Sequence, residues 1–274
     1  MKLLRVFPRR TNLTPDDAEA FVGEPPLWLP PDNEVSEIHV SVAFTWDLPL
    51  GRYLQHAWQS RFPAADVQIG GPALDDTGSE FEPGRYLKAG AVITSRGCVN
   101  RCSYCKVPQR EGRLRTLTIR DGWLVQDNNL LACPPRHIAA VFEMLRRQPN
   151  RPAFKGGIEA ARVTEAIARE LLSLRPTSIC LAYDLPSDRE DVDRALAIFR
   201  EVSGWKPGTL RRIVTVYLLS GAAGDTVQCM YDRVNWCSQR GGRAWPQYFQ
   251  DDVPRRVPPE WRDAIGKVCT WGKG

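Results

Sequence analysis

Between residues 89 and 250, short apolar or β-branched runs alternate with helical stripes, and no other feature limits the fold as much. Runs at 91–93, 123–126, 153–155, 178–183, 213–219 and 244–249 read as strands. The run at 213–219 is the clearest, being β-branched and apolar throughout. Ile138, Val141, Phe142 and Leu145 fall at helical spacing, as do Val163, Ile167, Leu171 and Leu174, and then Val192, Leu196 and Phe199. A further helix is expected over 227–234. Six such strand–helix units imply a parallel sheet covered by helices, an α/β fold. A chain of 274 residues can bury a core of this kind beside a smaller domain.

The smaller domain is expected over 1–88. Residues 3–7 read as a strand, followed by a passage with Pro25, Pro26, Pro30 and Pro31 that resists regular structure. A strand at 38–44, an apolar stripe of Leu50, Leu54, Trp58 and Phe62, and a strand at 67–69 make a β–α–β unit. That unit ends at Gly70-Gly71-Pro72, and residues 75–90, rich in Asp, Gly and Glu, read as a linker. Residues 251–274, rich in Pro, Arg and Trp, are expected to form an irregular tail.

Directly after the run at 91–93 come Cys98, Cys102 and Cys105, at Cys-x3-Cys-x2-Cys spacing. A [4Fe–4S] cluster is held by cysteine thiolates, normally four. Three leave one iron open to a chelating small molecule. A structural zinc site needs a fourth Cys or His nearby, and the nearest, Cys133 and His137, lie far along the chain. The other cysteines, at 133, 180, 229, 237 and 269, show no paired spacing and suit small buried hydrophobes. Cys237, near the start of the last unit, has a second possible role, facing a cavity and donating a hydrogen atom. An oxygen-sensitive cluster implies a reducing cytoplasm rather than disulfides. No apolar run approaches the roughly 18 residues of a membrane span, and the apolar part of the N-terminus is too short for a signal peptide.

The cysteine spacing resembles the signature of the radical SAM superfamily, Cys-x3-Cys-x-aromatic-Cys, with Tyr104 in the aromatic slot. The resemblance implies a partial (β/α)6 barrel over 89–250, a [4Fe–4S] cluster on Cys98, Cys102 and Cys105, and S-adenosylmethionine bound through its amino and carboxylate groups to the open iron. Tyr104 would lie against the adenine. A reduced cluster would pass an electron to the sulfonium, and the resulting 5′-deoxyadenosyl radical would abstract hydrogen from substrate. An electron donor such as flavodoxin or ferredoxin is implied. Residues 1–88 resemble a truncated form of the flavodoxin-like domain of cobalamin-binding members. Their Asp-x-His-x-x-Gly motif has no match here, so no cobalamin is expected. His39 and His56 then read as structural or surface residues, and His137 as a helix-end or surface residue.

Ligands of parallel α/β sheets bind at the carboxyl ends of the strands. By order along the chain, the resemblance places Asp127 and Asn129 near the methionine ammonium, with turn chemistry as the alternative for both. Gly156 and Gly157 let the backbone approach a ligand, and Glu159 either reaches that ligand or caps the next helix. Asp184 is placed on the ribose hydroxyls, and Leu219 and Ser220 on the adenine.

The net charge is +5. Arginines gather at 110, 113, 115 and 120, at 240 and 243, and at 255 and 256. They suit either a phosphate-bearing partner or a solvated basic surface. Arg96, Arg110, Arg113 and Arg115 are expected to face an anionic substrate. The segments 84–97, 106–112 and 127–132 resemble small radical SAM proteins common in bacteriophages. That likeness implies thymidine hypermodification in DNA: isomerisation of an N-linked glycyl-thymidine to its C-linked form, in the host cytoplasm. Two other readings stay open. One is a radical SAM enzyme acting on a small metabolite or a peptide; the other is a non-catalytic metal-binding protein that binds nucleic acid. No membrane partner is expected.

Overall fold

A computed structural model describes residues 2–28, 31, 34–78, 80–222, 224–250 and 256–271. Pro30 and Arg255 lie outside the described residues, as do the first five residues of the expected tail. Within the described residues the chain is α/β, with two parallel sheets and two apolar cores.

The first sheet comprises β1 (Lys2–Phe7), β2 (Ala20–Val22), β3 (Val35–Ser41) and β4 (Asp66–Gly70), in the order β2-β1-β3-β4. All its pairings are parallel. Helix α1 (Leu48–Arg61) crosses from β3 to β4 and buries Leu54 and Trp58 against the sheet, with Phe62 just beyond its end. Leu50, expected on the same stripe, is exposed, because the buried face of α1 begins at Gly51. Any Cβ at Gly51 would sit 2.5 Å from Val42 Cγ2, so the helix packs there backbone to side chain.

The second sheet holds six parallel strands in the order of the chain. They are β5 (Ala91–Val92), β8 (Leu124–Val125), β9 (Ala153–Ile158), β10 (Ser178–Tyr183), β11 (Val214–Ser220) and β12 (Arg243–Tyr248). Between β5 and β8, a two-residue antiparallel ladder joins β6 (Ser95–Arg96) to β7 (Arg115–Thr116), with α2 (Val107–Arg110) in the loop they close. Helices α3 (Pro135–Arg146), α4 (Glu165–Ser173), α5 (Arg189–Ser203), α6 (Pro207–Ile213) and α7 (Val227–Gln239) fill the later crossovers. Since the strand order never reverses, right-handed crossovers place these helices on one face of the sheet. The outer strands β5 and β12 do not pair, so the sheet is open.

Two expectations need correction. The strand expected at 153–155 runs on to Ile158. It passes through Gly156, where a Cβ would lie 2.1 Å from the Asp127 carbonyl oxygen. The glycine there admits the neighbouring backbone rather than a ligand. The tail is also not wholly irregular: α8 (Pro259–Trp271) carries Trp261, Ala264 and Val268 into the larger core. Trp261 packs on Tyr248 with ring centroids 5.7 Å apart. Apolar burial at i, i+3 and i+7 outweighed the prolines and arginines that flank the helix.

Candidate functional site

The cysteines sit on an excursion closed at its base by the β6–β7 ladder. Gly97 opens it with φ +76°, and a Cβ there would lie 2.3 Å from the Arg113 carbonyl oxygen. Only glycine fits. The Glu111 carboxylate staples the excursion shut. It accepts from Gly97 N–H (2.9 Å) and Asn128 Nδ2 (2.5 Å), and pairs with Arg96 Nη1 (3.0 Å). The Glu111 carbonyl takes Arg115 Nη1 at 2.7 Å.

The arginines expected to face substrate are therefore largely spent on structure. Arg96 and Arg115 brace this loop, and Arg110 pairs with Asp75 at 3.4 Å. Arg113 is exposed.

Cys98, Cys102 and Cys105 are free and partly exposed. Cys98 Sγ accepts from Asn100 N–H at 3.4 Å and from Asn129 Nδ2 at 3.8 Å. Cys105 N–H turns back onto the Cys102 carbonyl at 3.0 Å. Burial pushes the Cys105 thiol up, with the Val107 N–H opposing and the charges at Cys102 and Cys98 adding. Among the described residues no group of three or more His, Cys, Asp or Glu side chains is arranged to hold a metal ion.

The donor set nonetheless suits an iron–sulfur cluster: three soft thiols on one loop, with N–H donors aimed at sulfur. One observation bears on a ligand beside them. Asn129 Oδ1 is buried and has no hydrogen-bond partner, while its Nδ2 donates to Glu159 Oε2 at 2.6 Å. Glu159 also accepts from Arg162 Nε at 2.5 Å. Burial pushes the Glu159 carboxyl up, but the hydrogen bonds of Asn129, Arg162 and Asn100 outweigh it and hold the group below its ordinary range. Glu159 makes no capping bond; Thr164 caps α4 instead, accepting from Ile167 N–H at 3.3 Å. Gly157 has φ +112° and open space where a Cβ would project.

Asp127 is buried and its oxygens are occupied. They accept from Thr94 N–H (2.7 Å), Thr94 Oγ1 (2.5 Å) and Ser95 Oγ (2.7 Å). Its role is to tie the end of β8 to the chain leaving β5, a correction to the expected ammonium contact. Burial pushes its carboxyl up against those hydrogen bonds. His137, expected at a helix end or surface, is buried with Nε2 3.1 Å from Thr94 Oγ1.

Across the sheet, Tyr104 Oη donates to Asp184 Oδ2 at 3.2 Å, joining the cysteine loop to the end of β10. Burial raises the Asp184 carboxyl, opposed by the Tyr104 hydrogen bond. Asp188 Oδ2 fixes this turn, accepting from the N–H groups of Asp184 and Leu185.

At the end of β11 the Ser220 hydroxyl is buried and bonded to the Leu218 carbonyl. The Leu219 carbonyl accepts from Arg233 Nη1 at 2.9 Å, and Arg233 pairs with Asp225 at 2.7 Å. Cys237 is fully buried on α7 within the apolar core, its thiol pushed up to about 12 by burial. That is the place of a packing residue, and it corrects the expectation of a cavity-facing hydrogen donor.

The cysteine loop, Asn129, Glu159, Asp184 and the end of β11 thus follow the carboxyl ends of successive strands. Sequence reasoning missed Glu111, Asn128, Asp188 and the Arg233–Asp225 pair. Their partners are recruited across loops, and no periodicity marks them. No protein-family model matches the chain, and no curated protein matches it. Among the described residues no helix is long and apolar enough to cross a membrane.

Proposed function

We propose that this chain is a radical SAM enzyme whose larger sheet is the partial (β/α)6 barrel of that superfamily. The observation that carries this reading is the cysteine triplet on a braced loop at the carboxyl end of the first of six parallel strands in chain order. The unpartnered Asn129 acceptor beside it adds support. Cys98, Cys102 and Cys105 would hold a [4Fe–4S] cluster, leaving one iron for S-adenosylmethionine. Asn129 Oδ1 would accept from the methionine ammonium, Asp184 from the ribose, and Tyr104 would lie against the adenine. Bound there, the cluster and S-adenosylmethionine would supply one-electron reductive cleavage of the sulfonium as the source of a hydrogen-abstracting radical. The first sheet's order, β2-β1-β3-β4, follows the flavodoxin-like sequence 2-1-3-4. It supports a shortened domain of that kind ahead of the barrel.

The substrate in this reading is an N-linked glycyl-thymidine in phage DNA, converted to the C-linked isomer. A hydrogen atom would pass from the glycyl α-carbon to the 5′-deoxyadenosyl radical, the thymine methylene would migrate from nitrogen to that carbon, and 5′-deoxyadenosine would return a hydrogen atom to the nitrogen. Atoms and electrons balance without an external donor. Enclosure by the sheet and the braced loop would keep water and stray donors from the radical. The net charge of +5 suits a polyanionic partner, and reduction calls for a flavodoxin or ferredoxin.

The test is anaerobic. The reconstituted protein is given S-adenosylmethionine, a reductant and duplex DNA carrying N-linked glycyl-thymidine, and nucleosides are read by mass spectrometry. A nucleoside of unchanged mass and altered retention is the expected product. Unchanged DNA beside abundant 5′-deoxyadenosine would overturn the substrate and keep the chemistry. Absence of both the isomerised nucleoside and 5′-deoxyadenosine would overturn the enzyme.

A further inference from the structure

Strand register fixes which residues of the larger sheet share a face. Cys180, Thr215 and Arg243 stand side by side on β10, β11 and β12, and Ala182, Tyr217 and Trp245 follow one pleat later. Ser178 precedes Cys180 on the same face, and Lys155 of β9 reaches it, Nζ to Oγ at 3.1 Å. The alternating residues, among them Ile179, Leu181, Val214, Val216 and Ala244, belong to the core beneath the helices. The first set therefore lies on the face that the helices leave uncovered.

That face is cationic. Strands β9, β10, β11 and β12 contain no Asp or Glu, and their only Lys and Arg are Lys155 and Arg243. Among the described residues neither forms an ion pair; each donates to a hydroxyl instead. Lys155 goes to Ser178, and Arg243 Nη2 goes to Thr215 Oγ1 at 3.0 Å. Arg243 is half-buried, and one hydrogen bond to a hydroxyl is a poor return for a guanidinium taken out of water. Ser178 and Thr215 sit on neighbouring strands about 4.8 Å apart and one pleat out of step. The two charges thus hang over adjacent strands, close enough to share one anion.

The space beside them is open. A Cβ on Gly157, two residues after Lys155, would meet nothing within 4 Å. Asp184 follows β10 directly, and Tyr104 of the cysteine loop donates to it. From Cys180 to Asp184 the chain covers about 13 Å, so a small molecule anchored at the two cations could extend to the cysteine loop.

We propose that this uncovered face binds a phosphate ester of the substrate between Lys155 and Arg243, with the rest of the molecule lying along β10 toward the cysteine loop. A phosphate carries more charge and more acceptor oxygens than a carboxylate, which suits two cations approaching from different strands. A free monoester and a DNA strand share this chemistry. The proposal rests on the function proposed above only for the nucleoside chosen as probe.

The test is calorimetric titration of the full chain with thymidine 5′-monophosphate, thymidine, inorganic phosphate, succinate and an oligothymidylate without terminal phosphate. It needs neither cluster nor S-adenosylmethionine, so its failure leaves the radical reading intact, and absence of 5′-deoxyadenosine in the other assay leaves this one standing. We expect the monophosphate to bind at least tenfold more tightly than thymidine, with inorganic phosphate competing and succinate not. Competition by the oligothymidylate assigns the site to a DNA phosphate; lack of competition assigns it to a free monoester. Lys155→Gln and Arg243→Gln should each weaken the monophosphate at least tenfold and leave thymidine unaffected. Lys155 is exposed, so its substitution should leave the melting temperature unchanged and keeps the test decisive if Arg243→Gln fails to fold. A monophosphate that binds no more tightly than thymidine, equal competition by succinate, or binding that survives both Lys155→Gln and Lys155→Glu overturns the proposal.

Discussion

Asp127 shows how a buried carboxyl is accommodated in this protein. Three donors from Thr94 and Ser95 converge on its two oxygens, and burial still raises the carboxyl against them. Asp127→Asn would turn one side of that acceptor into a donor facing donors. We expect a loss of about 1–3 kcal/mol at neutral pH, read from urea unfolding. Glu159 carries a pH signature. Its carboxyl lies below its ordinary range in the fold, so its contribution is fully present above the unfolded value of 4.5. That contribution is lost as pH falls through the lowered folded value. Glu159→Gln should therefore cost roughly 1 kcal/mol at pH 7 and almost nothing in strong acid, measured as the difference between the two unfolding curves. A penalty that does not change with pH would show that the Asn129 and Arg162 contacts do not favour the charged form.

At the scale of elements, the cysteine loop depends on one glutamate. Glu111→Ala would strip acceptors from Gly97 N–H, Arg96 and Asn128 together, at a cost of about 1.5–3 kcal/mol. The two-residue ladder beneath cannot hold the loop alone. Amide exchange over residues 97–114 should quicken while β10 and β11 keep their protection. Unchanged exchange in the loop would refute the staple. The contrast between these elements also explains what the sequence discloses. Strand β10 is legible to the residue and β11 to within one, because both are buried on two faces and read as continuous apolar runs. The β6–β7 ladder and α2 are too short for any period to register. Helix α8 hides behind Pro258 and Pro259, though its buried Trp261, Ala264 and Val268 keep helical spacing. In the site, cysteine spacing is local and therefore readable. The use of Asp127 depends on Thr94 and Ser95, more than thirty residues earlier, and only folding brings them together.

In the molecule as a whole, two separate cores are fastened to each other by hydrogen bonds and an ion pair among the described residues. One gathers Leu4, Ile38, Leu54 and Trp58; the other runs from Phe81 to Val268. Across the boundary, Lys88 N–H donates to the Leu13 carbonyl at 2.8 Å. Arg5 gives Nη1 to the carbonyls of Gly84 and Arg85, at 2.8 and 2.9 Å, and pairs with Asp17. Its side chain is only 8% exposed, so no water can readily replace it. Separate cores need not unfold in one step. We expect amide exchange in moderate urea to reveal a lower opening free energy for β3 and α1 than for β10 and β11. Arg5→Ala should lower the first by about 2–3 kcal/mol and leave the second unchanged. An equal fall in both opening free energies would mean instead that the two cores form one cooperative unit, with Arg5 serving its general stability rather than the joint.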